Sequence, residues 1–321
     1  IADELGFKTV NLDNYCGYAE MGEGEEIIGI AAHLDVVPAG EGWTVTEPFK
    51  PVLKDGKLYG RGTADDKGPA VAALYAMRAV KELGIPLKKN VRLILGTDEE
   101  CGSSDIRHYY SIEKEAPMTF SPDAEYPLVN TEKGRFPGHF TAGFEASDAL
   151  PRLVSIKAGT KVNVVPGKAK AAVEGFEMAA LEKAAAETKE ETGISFEFAA
   201  EGTVTEITAT GIGAHASTPD VGNNALTGLL VFLGKLDFAS CPQVDMVRKT
   251  ASLFPHGDVN GKTLGVAMED ELSGNLTLSF NMLTVDAASM DGEFDGRIPV
   301  CGNDENVLEV VRARMAEQGL T

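Results

Sequence analysis

The chain is short of basic residues. Lysine and arginine together number 29 against 49 aspartates and glutamates, a formal net charge of −20. Nucleic acids and anionic membrane surfaces select for basic patches, so this balance argues against both as partners. Cysteine is scarce as well: Cys16, Cys101, Cys241 and Cys301 are widely scattered and form no C-x-x-C pair. That pattern argues against a disulfide framework and favours a reducing compartment, with the cytoplasm as the default expectation. No apolar run approaches the roughly 18 residues of a membrane-spanning helix. No signal peptide is visible. Core-forming residues, by contrast, are ample: 43% of 321 residues are hydrophobic, which suits two domains.

The acidic residues are grouped. His33-Leu34-Asp35, Asp65-Asp66-Lys67-Gly68-Pro69 and Asp98-Glu99-Glu100 gather metal-type ligands where apolar or glycine-rich runs end. Two divalent ions held close together need a carboxylate between them, a ligand on each outer side and a carboxylate left free as base. The run 26–32 reads as a buried strand ending at His33. In an extended segment residues two apart point the same way, so Asp35 can orient the His33 imidazole. Alone, this pair also fits a solvated strand end. Pro69, Gly84 and Pro86 bracket a helix over 70–83, which puts Asp65 and Asp66 on the loop entering it. An N-cap role explains one aspartate of the pair but not both. The run 91–97 is a second buried strand. Glu99 and Glu100 follow it, and in an extended segment they would diverge, one toward a metal and one free to take a proton. An acidic turn is the plain alternative. Asp123, after Pro122, adds a fourth carboxylate or else an Asx-type turn.

These residues resemble the metallopeptidase family that includes carboxypeptidase G, aminoacylase, succinyl-diaminopimelate desuccinylase, carnosinase and peptidase V. The peptidase V-type dipeptidases are the nearest branch. The resemblance rests on His33-Leu34-Asp35-Val36-Val37-Pro38, Tyr59-Gly60-Arg61-Gly62, Asp65-Asp66-Lys67-Gly68-Pro69, Gly96-Thr97-Asp98-Glu99-Glu100 and Pro122-Asp123-Ala124-Glu125-Tyr126-Pro127. It is dense to about Lys133. Beyond that it thins to Val162-Asn163-Val164-Val165-Pro166, Gly213-Ala214-His215-Ala216-Ser217 and Arg297-Ile298-Pro299. It implies a dipeptidase with two divalent ions, zinc first and manganese or cobalt as alternatives. Asp65 would bridge the ions, His33 and Asp123 would hold one, and Glu100 the other. Glu99 would act as general base on a water between the ions, and Asp35 would orient His33. A cis peptide would join Asp65 to Asp66. His215, Asn163 and Arg297 would bind substrate, a dipeptide or small N-acyl amino acid, and the protein would be a monomer. A deacylase or desuccinylase of the same chemistry, and an inactive metal-binding or scaffold protein, remain as alternatives.

Up to about residue 132 strand and helix patterns alternate, as in a doubly wound α/β catalytic domain. Residues 133–321 mix strand-like runs (152–156, 169–176, 194–198, 204–209, 276–283) with helical ones (177–191, 224–236, 305–318). They suit an α+β lid domain, which the resemblance describes as inserted and built of ferredoxin-like subdomains. The family's further histidine ligand, in a glycine-rich segment near the C-terminus, has no match among His33, His108, His139, His215 and His256. With Ile1 in place of an initiator methionine, the expectation is a piece of a longer protein in which the rest of the catalytic domain follows.

Overall fold

The apolar run before His33 and the one before Asp98 become neighbouring parallel strands. A computed structural model describes residues 1–40 and 42–321. The chain divides into two units, Ile1–Val129 and Asn130–Thr321. The first contains β1 (Lys8–Leu12), β2 (Cys16–Met21), β3 (Ile27–His33), a hairpin of β4 (Val52–Lys54) and β5 (Lys57–Tyr59), α1 (Lys67–Glu82), β6 (Asn90–Gly96), α2 (Ser104–Ile112) and β7 (Met118–Phe120). Its sheet runs β1-β2-β6-β3-β7. β3 is parallel to both β6 and β7, so all three strands release the chain at one edge. Open α/β sheets place ligand sites at that edge.

β6 is buried on both faces, which explains its mostly apolar run, broken only in its first half by Asn90 and Arg92. Leu93 packs with Ala70, Leu74 and Met77 of α1, and Ile94 with Tyr109 of α2. Helices therefore cover both faces of the sheet. α1 starts where Gly68 lies against the Thr63 carbonyl; a Cβ there would overlap that oxygen. It ends ahead of Gly84, whose φ of 64° suits a residue without a side chain.

The second unit contains β8 (Gly134–Gly143), β9 (Arg152–Ala158), β10 (Val164–Val165), β11 (Lys168–Glu174), α3 (Met178–Thr192), β12 (Ser195–Glu201), β13 (Val204–Thr210), β14 (Ala214–His215), α4 (Ala225–Gly234), α5 (Pro242–Leu253), β15 (Glu269–Asp270), β16 (Gly274–Asn275), β17 (Thr277–Val285), β18 (Ser289–Ile298) and α6 (Glu309–Glu317). Seven strands form one antiparallel sheet, ordered β12-β13-β11-β9-β17-β18-β8. The helices share a single apolar core with it, centred on α4, whose Leu226, Leu229 and Phe232 are fully buried. Glycines alternate with phenylalanines across β8 and β18: Gly138 faces Phe294, Gly292 faces Phe140, and Gly296 faces Phe136. The rings fill the space the glycines leave, and a Cβ at Gly138 would overlap Phe294. β17 carries a bulge between Phe280 and Met282 that leaves Asn281 unpaired. α6 is shorter than the helical pattern 305–318, because a wide turn at Asp304–Leu308, capped by Asn303, precedes it.

A buried ion pair ties the first unit together. Arg92 on β6 donates to Glu20 on β2 and Glu113 after α2, at 2.6 and 2.8 Å, and to the Tyr109 hydroxyl at 3.0 Å. Burial pushes the Glu20 carboxyl up, but hydrogen bonds from Arg92 and Lys8 outweigh it and hold the folded value below the ordinary range. A lowered folded value means that the stabilisation is complete above the ordinary glutamate pKa. It is lost as pH falls through the folded value. Glu20→Gln is expected to destabilise the protein by about 1–3 kcal/mol at neutral pH. It should also flatten the acid limb of a urea-denaturation series followed by circular dichroism. An unchanged acid limb would remove Glu20 from this role.

Candidate metal centre

His33 is the last residue of β3, and its side chain is buried. Its Nδ1 lies 3.1 Å from the Asp35 carbonyl oxygen and 3.2 Å from Asp35 Oδ1. Both neighbours only accept, so Nδ1 carries the proton and Nε2 presents its lone pair. Around Nε2 stand Asp65 Oδ1 at 3.0 Å, Asp123 Oδ2 at 3.3 Å and Glu99 Oε2 at 4.0 Å, and Nε2 itself has no hydrogen-bond partner. Burial lowers the basicity of His33, yet Asp123, Asp35, Glu99 and Asp65 outweigh it and raise the pKa. The cluster therefore draws a positive charge onto Nε2, whether a proton or a metal ion. Two overlapping groups have ligand atoms within 4.8 Å of one another: His33, Asp65 and Glu100, and His33, Glu99 and Asp123. One imidazole nitrogen among carboxylate oxygens suits zinc, manganese or cobalt.

Asp35 accepts from the Glu99 and Glu100 amides at 3.2 and 3.1 Å, so one carboxylate braces both the imidazole and the acidic turn. Glu99–Cys101 form a single 3₁₀ turn, not the extended segment expected from sequence, and from it both glutamates bring a carboxylate oxygen to the His33 cluster. Glu100 Oε1 accepts from the Val37 amide at 3.3 Å. The Asp65–Asp66 peptide is cis. Asp66 stands at the N-cap of α1 but caps none of its amides. Its fully buried carboxylate accepts instead from the His33 backbone amide at 3.0 Å. Burial raises Asp66 to about 6, against that hydrogen bond. Burial also raises Glu99 and Asp123 above the ordinary carboxylate range.

Sequence reasoning missed Asp105, on the first turn of α2. It is fully buried and accepts from the Thr97, Asp98 and Ile106 amides at 2.5, 2.9 and 2.7 Å. It thereby holds the chain as it leaves β6. The signal was present in Asp98-x₆-Asp105 flanking Ser103-Ser104, which reads only as another acidic stretch.

The remaining candidates lie on the second unit, whose sheet carries a polar face opposite the helices. β10 pairs with β14, setting Val164 against His215, and the Ala216 amide donates to the Asn163 carbonyl at 2.9 Å. Thr277 stands opposite Arg297 and donates to the Ser217 carbonyl at 3.4 Å. Ser279 donates to Asn281, and Asn281 donates to the Val162 carbonyl at 2.6 Å. The segments bearing Asn163, His215 and Arg297 are thus fastened to one stretch of sheet. His215 is exposed, and its Nδ1 accepts from the Ser217 amide at 3.2 Å. The neutral ring therefore carries its proton on Nε2.

Residues 29–320 match the model of peptidase family M20/M25/M40, and the chain belongs to that family. It is 39% identical over 287 residues to "Putative dipeptidase YtjP" of Bacillus subtilis (strain 168), covering 88% of this chain and 61% of the relative. To the Beta-Ala-Xaa dipeptidase of Lactobacillus delbrueckii subsp. lactis it is 38% identical over 284 residues, covering 88% and 60%. The chain thus spans about three fifths of the length of these curated relatives. The aminoacylhistidine dipeptidase of Vibrio alginolyticus superposes with a TM-score of 0.47 at 13% identity, over 100% of this chain and 71% of that one. Among the described residues no helix is long and apolar enough to cross a membrane.

Asp105→Ala strips the acceptor from amides at the end of β6, each worth about 1–3 kcal/mol when left buried and unpaired. The expected result is a lower urea midpoint together with weaker zinc binding by titration calorimetry. Loss of stability with unaltered zinc affinity would show that the turn holds its shape without Asp105.

Proposed function

We propose that the protein is a dipeptidase that uses two divalent metal ions. The observation that carries this reading is the His33 Nε2 lone pair set among Asp65, Asp123 and Glu99. The family assignment and the dipeptidase names of its relatives support the substrate class. Asp65 would be the ligand shared by the ions, His33 and Asp123 would hold one of them, and Glu100 the other. When bound, the ions acidify water and polarise the scissile carbonyl. Glu99 takes the proton of the attacking water and passes it to the leaving amine. Its carboxylate lies farther from Nε2 than those of Asp65 and Asp123, and its raised pKa is the direction a proton acceptor needs. Asp35 keeps the His33 proton on Nδ1. Residues 1–132 are the N-terminal part of the catalytic domain, and 133–321 its lid, built of ferredoxin-like subdomains. On the lid Asn163, His215 and Arg297 hold the substrate.

A panel of dipeptides and N-acyl amino acids, assayed on the intact protein with zinc, manganese and cobalt, tests the reading. Cleavage confined to N-acyl amino acids would make it a deacylase. Glu99→Gln should keep its metal by elemental analysis and lose about a hundredfold or more in kcat; near-normal turnover would transfer the base role elsewhere. Asp65→Ala should empty both metal positions, whereas Asp66→Ala should leave most metal bound. An anomalous-scattering map with the reverse pattern would move the bridging role to Asp66.

A further inference from the structure

Asp295 on β18 is an acidic residue that is completely buried, on the face of its strand away from the apolar core. A buried carboxylate persists only when paired. Its partners are two guanidiniums. Arg297 reaches it through Nε at 2.8 Å and Nη2 at 3.4 Å, and Arg135 on β8 reaches it through Nε at 3.5 Å. Arg135 and Arg297 are direct cross-strand partners, so their side chains share the polar face. Like charges placed opposite each other repel unless something lies between them. Among the described residues, Asp295 is the sole carboxylate within 4.0 Å of either guanidinium. The count is two positive charges to one negative, which leaves one positive charge without a partner.

We propose that Asp295 is a positioning residue for Arg297, and that Arg135, by sharing Asp295, leaves the Arg297 fork free to select a substrate's terminal carboxylate. The inference deepens the dipeptidase reading and rests on it for the identity of the substrate. Arg297 engages Asp295 through Nε and one Nη, so its orientation is fixed while the other Nη hydrogens remain to donate outward. With Asp295 alone, Arg297 would form a closed, neutral pair with little attraction for an anion. Arg135 takes part of the Asp295 charge and restores that attraction. An exposed arginine with no such brace would have to order its long side chain on binding.

The test is titration calorimetry on the intact protein with a dipeptide isostere whose scissile carbonyl is replaced by methylene, as free acid and as primary amide. The wild type is expected to prefer the acid. Asp295→Asn should reduce that preference by about tenfold or more, as expected on losing the order behind a charged hydrogen bond. Arg135→Gln should weaken binding of the acid several-fold, more at low salt than at high. Should Asp295→Asn fail to fold, Arg135→Gln decides, because that side chain is half exposed and supports no core. No preference in the wild type, or a wild-type preference in the variants that fold, would overturn the proposal. Failure of the dipeptidase reading is a separate outcome, seen as no dipeptide cleavage by the metal-loaded wild type, because the calorimetry involves no turnover.

Discussion

Carboxylates repel, and the first unit gathers many of them at one edge of a small parallel sheet. The fold manages this by giving the acids two different tasks. Asp35, Asp66 and Asp105 accept backbone amides at the ends of β3 and β6. Asp98 behaves the same way, taking the Ser104 amide and hydroxyl. These are engaged by backbone amides and become part of the scaffold. Asp65, Glu99, Glu100 and Asp123 are left to face His33. Each is a sequence neighbour of a scaffold acid or is held by a turn one of them fastens, except Asp123, which lies just beyond β7. Removing a scaffold acid would therefore misplace an inner one.

Parallel strand order makes this possible. The peptide that follows His33 and the one that follows Gly96 emerge side by side, because those residues are register partners. Asp35 needs to cross only one strand spacing, about 4.8 Å, to reach the Glu99 and Glu100 amides. α1 then delivers Asp65 and Asp66 to the same edge, and its first-turn Lys67 donates to the Leu34 carbonyl. The second unit solves a different problem. Its sheet is antiparallel, with one face given to the helices and the other left polar, and there a buried aspartate is balanced by arginines instead of amides.

Much of this was legible in the sequence. The runs ending at His33 and Thr97 are apolar apart from Glu26 and Arg92, as suits buried parallel strands, and α1 is bracketed by proline and glycine. The mixed α/β character and the family follow from the same motifs. Other elements were hidden for physical reasons. β8 and β18 place glycine where a core residue is expected, and the missing volume is supplied by phenylalanines on the neighbouring strand, which no local window can see. α5 offers an amphipathic pattern broken by Gln243 and Thr250, both buried. The 3₁₀ turn at Glu99 is too short for any periodicity. Asp105 and Asp295 look like ordinary surface acids, because what distinguishes them is burial, and burial is decided by residues distant in the chain.

The bulge in β17 has a consequence best put in terms of insertion and deletion. Before it, Leu278 and Phe280 face the core; after it, Leu283 and Val285 do, so the alternation changes phase at Asn281. Strike out Asn281 and the strand becomes alternating, with Leu278, Phe280, Leu283 and Val285 on the core side and Ser279, Met282 and Thr284 on the other. The extra residue is therefore not needed for packing. What it supplies is the hydrogen bond to the Val162 carbonyl, which moors the loop that carries Asn163. A chain shorter by that one residue would keep its core and lose one of the moorings of that loop, leaving the β10–β14 pairing and the Ala216 amide to hold it. The bulge is the mark of a sheet that has been shaped around its polar face, one residue longer than folding alone requires.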